Sequence, residues 1–511
     1  MNITTKDLSC DYYIKNGKII DGSGLPGYHA DVYIKDGIIA GVGRFDTYSA
    51  VKTIDASEKI ITPGFIDCHS HTDSTITLNP EAESSIYQGI TTEIVGNCGN
   101  SEALTIMKDL KETSINMAWL AGHNSIRFLA GVTGELASNE QLIKMRGLLY
   151  EAFKTGVIGF STGLEFEPGR LCKTEEISYL LNTVKEYEGI YVSHIRNRAA
   201  QVFEAVDEFI GLIENSKVRG QISHMNIRYN TGAPPDAFEG CVKRIQEARS
   251  NGLEILADMT PLNYGIGQAA GILPDWFMKL DREDIIEFLN NKDNRNKLRE
   301  DTDRYWRFIY NGEWERVRVQ SCAALPEING KEFLELSVLW GKSPWDCYCD
   351  IIKITAEKNE NINAIVFVAR LFTDGHLKET ISHPLYCLAV DGYSTTIREP
   401  LASTTAFPLH YMGMAHFITH HVKTTNTLSL EEAIRKMTSM SAEHFGLKKR
   451  GLLKEGYFAD ITVFDYDKLK TPSTFEKPAV YTEGVWYVFV NGVPVLVNGV
   501  HTGVKPGRML K

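Results

Sequence analysis

Residues 62–71 read Thr62-Pro63-Gly64-Phe65-Ile66-Asp67-Cys68-His69-Ser70-His71. A short apolar run leads into two histidines at i and i+2. Alternate side chains of extended backbone share a face, so both imidazoles can reach one cation. Such a pair says little unless other strand ends add donors, and further along the chain they do. Ile94-Val95-Gly96-Asn97-Cys98-Gly99-Asn100 sets a thiol between two glycines at the end of an apolar run. Tyr191-Val192-Ser193-His194 and Gln221-Ile222-Ser223-His224 each end in Ser-His, and Cys387-Leu388-Ala389-Val390-Asp391-Gly392 ends in a carboxylate. Strand ends supplying His69, His71, Cys98, His194, His224 and Asp391 point to a metal site. Thiolate and imidazole donors together favour zinc over magnesium or calcium.

Around these motifs, from about Gly64 to His444, short apolar runs alternate with helical stretches such as residues 200–210. The runs at 189–193, 220–223, 254–258 and 388–391 read as buried parallel strands. Repeated βα units over this length predict a closed (β/α)8 barrel across residues 63–445, with a doubly wound sheet as the alternative. In a barrel the active groups sit at the strand C-termini, which is where these histidines fall.

The two chain ends read differently. Asn16-Gly17, Asp36-Gly37 and Asn491-Gly492 each lie between β-rich runs, the strongest short-range hairpin signal. Neither end is long enough to bury a good core alone. Residues 1–62 and 446–511 are therefore expected to pair into one small β-sandwich. Residues 280–345 are charged, aromatic and irregular, and read as an insertion or lid.

Composition narrows the function classes. The chain has 511 residues, 43% hydrophobic and 23% charged, which is ordinary globular usage. Lys+Arg 54 against Asp+Glu 65 gives a net charge of −11, with no basic block to bind nucleic acid or an anionic membrane. No apolar run reaches spanning length, and residues 1–8 lack the apolar core of a signal peptide. The odd count of nine cysteines fits reduced thiols in a cytoplasm, and Cys347 and Cys349 are too close together for zinc-ribbon spacing. The expectation is a cytoplasmic protein, monomeric or a small homo-oligomer, acting on a small molecule.

Taken together, these motifs resemble the amidohydrolase superfamily, and within it the N-acyl-D-amino-acid deacylase (D-aminoacylase) branch. Gly122-His123-Asn124, Ser161-Thr162-Gly163-Leu164, Ile195-Arg196-Asn197 and the tail Glu455-Gly456-Tyr457-Phe458-Ala459-Asp460 extend the likeness over nearly the whole chain. The resemblance implies a zinc-dependent hydrolase of linear amides. It assigns Cys98, His194 and His224 to a tightly held zinc, and His69, His71 and Asp391 to an adjacent, weaker metal position. In this branch Cys98 takes the place of the carboxylated lysine that bridges two metals in many superfamily members. Asp391 would be the catalytic general base, moving a proton from water to the leaving nitrogen.

The likeness breaks at substrate recognition. Where the branch holds the substrate carboxylate with a lysine, a tyrosine of an Asp-x-Tyr-Pro-Tyr motif and an arginine, this chain has Asn226, Thr260 and Leu262 in place of both motif tyrosines, and Leu401, with Arg398 or Arg228 as neighbouring substitutes. His123 is a further candidate for the pocket lining, while His410, His416, His420 and His421 read as structural or lid residues. A substrate without a free α-carboxylate, such as a specialised N-acyl metabolite, is expected. The alternatives are a cyclic-amide hydrolase of the dihydroorotase or hydantoinase kind, and a non-catalytic barrel scaffold.

Overall fold

Long runs of buried residues form eight parallel strands that stand side by side in chain order. They are β1 (Phe65–Ser70), β2 (Ile90–Val95), β3 (Asn116–Gly122), β4 (Gly159–Gly163), β5 (Ile190–His194), β6 (Arg219–Ile222), β7 (Ile255–Met259) and β8 (Tyr386–Leu388). Burial on both faces explains why they read as continuous apolar runs rather than as alternating ones. The ring closes just beyond β8. Ser70 bridges Gly392 in parallel, the Asp391 N–H donates to the His69 carbonyl at 2.9 Å, and the His71 N–H donates to the Gly392 carbonyl at 2.8 Å. This computed structural model describes residues 9–44, 49–302 and 307–511, so residues 1–8, read above for the absence of a leader, lie outside it.

Helices sheath the barrel where the sequence has 3.6-residue periodicity. The helix expected at 200–210 runs Val202–Ser216 and buries Val202, Val206, Phe209 and Ile213 on one face. Asn139–Thr155 begins with a complete capping box between Ser138 and Gln141. Among the described residues, no helix is long and apolar enough to cross a membrane.

Both chain ends supply strands to a sandwich, so the fold is a (β/α)8 barrel carrying a β-sandwich built from the two termini. Ile60–Pro63 pairs antiparallel with Ile461–Phe464, joining the two ends within one sheet. That sheet packs on a second one made of Ser9–Lys15, Asp31–Lys35, Ile38–Gly43 and Ser49–Asp55, through Ile14, Val32, Ile61, Ile461 and Phe489. Asp36-Gly37 and Asn491-Gly492 are true hairpin turns, with all four residues at positive φ. Asn16-Gly17 is not a hairpin. Its flanking strands pair with other partners, so the turn passes the chain from one sheet to the other. The side chain of Asp31 captures the Asn16 N–H at 2.8 Å, and a Cβ on Gly17 would lie 2.3 Å from the Ile61 side chain. Sheet-on-sheet packing thus outweighs the local turn signal.

Between β7 and β8 the chain makes an excursion that contains residues 280–345 and is built on a three-stranded sheet of Tyr264–Gln268, Val317–Ser321 and Val366–Arg370. Its two ends, at Tyr264 and at Leu371, return to the barrel mouth.

A buried polar node ties the sandwich to the barrel wall. Asp460 pairs with Arg450, accepts the Asn491 N–H at 2.8 Å and accepts from Asn116 on β3 at 3.3 Å. Removing the carboxylate leaves a guanidinium buried without its counter-charge, which typically costs about 3–5 kcal/mol. Asp460→Ala should therefore shift the urea midpoint sharply downward, and a midpoint within error of the unsubstituted chain would show that the node carries no such weight.

Candidate metal centre

The six strand-end donors converge at the C-terminal mouth of the barrel. Cys98 is at the middle of the group, with Sγ 3.4 Å from His69 Nε2, 3.4 Å from His224 Nε2 and 3.6 Å from His194 Nδ1. Asp391 Oδ1 lies 3.4 Å from His69 Nε2 and 3.2 Å from His71 Nε2. Two overlapping sets result, Cys98 with His69 and His224, and Asp391 with His69 and His71.

Local structure aims each of these side chains. Cys98 sits at φ 53° in the turn after β2, a conformation that non-glycine residues seldom adopt. Ser161 on β4 holds that turn from below, donating to the Gly96 carbonyl at 2.5 Å and accepting the Gly99 N–H at 3.1 Å. Gly163 has to be glycine, because a Cβ there would lie 2.2 Å from the Cys98 carbonyl oxygen. His224, at φ 29°, is fixed by its N–H to Asp258 Oδ1 at 2.7 Å and by its carbonyl, which accepts from Arg198 at 2.8 Å. Asp258 also places Oδ1 3.3 Å from His69 Nδ1, a close charge contact rather than an aligned hydrogen bond.

His194 is oriented by a residue the motif reading passed over. Its Nε2 lies 2.6 Å from Glu165 Oε2, so Nδ1 is the nitrogen left facing Cys98. Glu165 in turn receives both arms of Arg228, at 2.5 and 2.8 Å, with Arg198 3.5 Å away. Burial alone would raise its pKa, but Arg228, His194 and Arg198 hold it well below the usual carboxylate range. The available signal was its place two residues beyond the end of β4, directly after Ser161-Thr162-Gly163-Leu164. Tyr264, Tyr393 and Arg198 were also missed.

The charges suit a cation. Burial would raise the Cys98 pKa, yet His69 and the hydrogen bonds from His194, His69 and His71 bring it well below that of a free thiol. Burial likewise opposes ionisation of Asp391, and His69 and His71 reverse that. A thiolate and a carboxylate are thus held a few ångströms apart among imidazoles, and together with Asp258 they raise the pKa values of His69 and His71 against burial. A divalent ion can balance these anions. Sulfur and nitrogen donors fit zinc far better than a hard cation.

Above the cluster lies a cavity of about 380 Å³. His71, Cys98, His194, His224 and Asp391 line its floor. Phe166, Tyr264, Leu371, Tyr393 and Phe407 contribute walls, and Thr260 and Arg228 also face it. The other residues expected to contact substrate are placed elsewhere. Arg398 is 63% exposed and turned to Glu83, at 2.8 and 3.0 Å. His123 is buried against Glu176 at 2.7 Å, which Arg127 also grips. Leu262 packs into the core. Asn226 is folded under the site by a tight turn, its N–H 2.7 Å from the His224 carbonyl.

Known proteins are similar to this chain in sequence and fold. A model of the Amidohydrolase family matches residues 52–166 and 367–496. A D-aminoacylase of Alcaligenes xylosoxydans xylosoxydans is 27% identical over 531 residues, covering 98% of this chain and 97% of that one. A solved N-acyl-D-glutamate deacylase of Bordetella bronchiseptica, complexed with zinc and a phosphonate mimic of the tetrahedral intermediate, superposes with a TM-score of 0.78 at 25% identity, covering 98% and 99%. A D-aminoacylase structure, described by a binuclear metal centre with one-metal activation and second-metal attenuation, gives a TM-score of 0.80 at 24% identity, covering 98% and 100%.

Partners behind a metal-binding histidine typically contribute 10–100-fold to affinity, about 1.4–2.7 kcal/mol. Glu165→Gln keeps the side-chain shape but loses the charge that orients His194. Zinc affinity, measured by competition with a chromogenic chelator, should fall by about that factor; an unchanged affinity would mean that His194 is either set by other contacts or not a ligand.

Proposed function

We propose that this chain, similar to the amidohydrolase family over residues 52–166 and 367–496, is a zinc-dependent hydrolase of linear amides that acts on an N-acyl amino acid derivative whose α-carboxylate is masked or replaced. The observation that carries the hydrolytic reading is the buried cluster of Cys98, three histidines and Asp391 at the floor of a ligand-sized cavity. Cys98, His194 and His224 would hold the zinc, and His69, His71 and Asp391 offer a second, weaker position. Bound zinc supplies Lewis acidity, polarising a scissile carbonyl and lowering the pKa of water to about 7.

Asp391 is the proton carrier. Its side chain is 26% exposed to the cavity, and the bond from its N–H to the His69 carbonyl anchors it. Held ionised by the neighbouring positive charge, it accepts a proton from the attacking water and delivers it to the departing nitrogen, whose expulsion as a free amine completes the cleavage. His71, 3.2 Å from Oδ1, fixes the carboxylate's direction.

Substrate preference follows from what the two arginines already do. Arg228 is held bidentately by Glu165, and Arg198 by the His224 carbonyl and by Glu165. A substrate carboxylate must compete with Glu165 for both guanidiniums while losing its own hydration. Thr260 and the aromatic walls favour neutral or apolar groups. The absence of disulfides among nine buried cysteines and the acidic net charge fit a cytoplasmic setting and a small-molecule substrate, in a monomer or small homo-oligomer.

Asp391→Asn tests the proton carrier. The variant should keep about one tightly bound zinc by elemental analysis and lose about 10²–10⁴-fold in turnover, because an amide cannot shuttle a proton. Near-normal turnover would place the proton transfer elsewhere. For specificity, zinc-replete enzyme is assayed on N-acetyl-D-methionine and N-acetyl-D-leucine against their amides and esters. Charge-assisted hydrogen bonds are worth about 1.5–3 kcal/mol each, so a missing clamp should disfavour the free acids by more than about tenfold. Equal or better turnover of the free acids overturns the masked-carboxylate reading and leaves the amidohydrolase assignment intact.

A further inference from the structure

Away from the barrel mouth centre, the helix Pro408–His416 runs without interruption into a π-helical turn, Phe417–Val422. The widening is visible in i→i+5 hydrogen bonds from the Lys423 N–H to the Ile418 carbonyl at 3.0 Å and from the Thr425 N–H to the His420 carbonyl at 2.8 Å. In a regular α-helix residue i+5 points about 140° away from residue i. The wider turn brings it back, so His416, His420 and His421 share one face. Their rings lie 4.9, 5.5 and 4.8 Å apart between centroids, and one donor nitrogen from each lies within 4.8 Å of the other two.

The tautomer of one ring is fixed. His421 Nε2 is 2.8 Å from the Pro261 carbonyl, which can only accept, so Nε2 carries the proton and Nδ1 carries the lone pair. A ring nitrogen donating to a backbone carbonyl while the other faces outward is the usual setting of a metal-binding histidine. Histidines at i and i+4 on a helix supply two donors to one ion, and the π turn adds the third.

We infer that His416, His420 and His421 form a second binding site, separate from the barrel-mouth centre, for a divalent transition ion of the zinc, nickel or copper class. Burial, with the neighbouring rings, pushes His416 down to about 3, and burial pushes His421 down to about 4, so both stay neutral and available as ligands at neutral pH. A tetrahedral ion with bonds of about 2.1 Å needs donors about 3.4 Å apart, which rotation of the partly exposed His416 and His420 rings provides. Solvent fills the fourth position.

The test uses the zinc-loaded full-length chain titrated with Ni²⁺ by calorimetry, with total metal counted by mass spectrometry after gel filtration. The unsubstituted protein should retain about one more ion than a His416→Ala/His420→Ala variant, while zinc at the barrel mouth and amide turnover stay unchanged. Equal total metal content in the two, zinc and nickel counted together, overturns the site. Should the double variant not fold, His420→Ala alone is expected to weaken Ni²⁺ binding at least tenfold, and unchanged affinity overturns it equally.

Discussion

Cys98 holds its sulfur 3.4–3.6 Å from three imidazole nitrogens in a position where an uncompensated thiolate costs several kcal/mol. The surrounding structure works to supply that compensation. Strands β1, β2, β5, β6 and the segment after β8 are far apart in sequence, and only closure of the barrel brings their ends within a few ångströms. Closure depends on backbone bonds made by the site residues themselves, the Asp391 N–H donating to the His69 carbonyl and the His71 N–H to the Gly392 carbonyl across the seam between the first and last strands. Convergence of the donor side chains and barrel closure are therefore one constraint seen at two scales.

That constraint is maintained by backbone conformations the chain would not otherwise choose. Cys98, His224 and Asp391 all have positive φ, at 53°, 29° and 54°. Such positions cost about 1–3 kcal/mol each and persist only where surrounding bonds over-determine them. Ser161 and Gly163 do so for Cys98, and Asp258 and Arg198 for His224. Glu165 and Asp258 form the next layer, each a carboxylate set against the far side of an imidazole. The sandwich supports this from the opposite end of the wall, through the Asp460 node on β3.

Glu165, which orients His194, also engages Arg198 and Arg228, two arginines that line the cavity. One buried carboxylate thereby ties the strand-end cluster to the cavity wall. The excursion between β7 and β8 completes the cavity with Tyr264 and Leu371, which lie 107 residues apart in the chain, at positions 264 and 371.

The sequence by itself determined the barrel and its donors, because both are short-range signals. Buried parallel strands leave continuous apolar runs, and the side chains that cluster at strand ends leave His-x-His, Asn-Cys-Gly and Ser-His at the ends of those runs. Two of the three Asn/Asp-Gly turns were hairpins for the same reason, since the turn conformation is local. Only tertiary structure decided the rest. Asn16-Gly17 became a sheet crossing because the packing of Gly17 on Ile61 and the capture by Asp31 act across the sandwich. Arg398 was drawn out to Glu83, and Asn226 was folded beneath the site. Glu165, Arg198 and Tyr264 gained their places through contacts with residues distant in sequence. Hydrophobic period and strand-end chemistry repeat over a few residues and can be read one residue at a time. The partner of a charged side chain is set by which strands the closed barrel makes neighbours, and no local pattern encodes that.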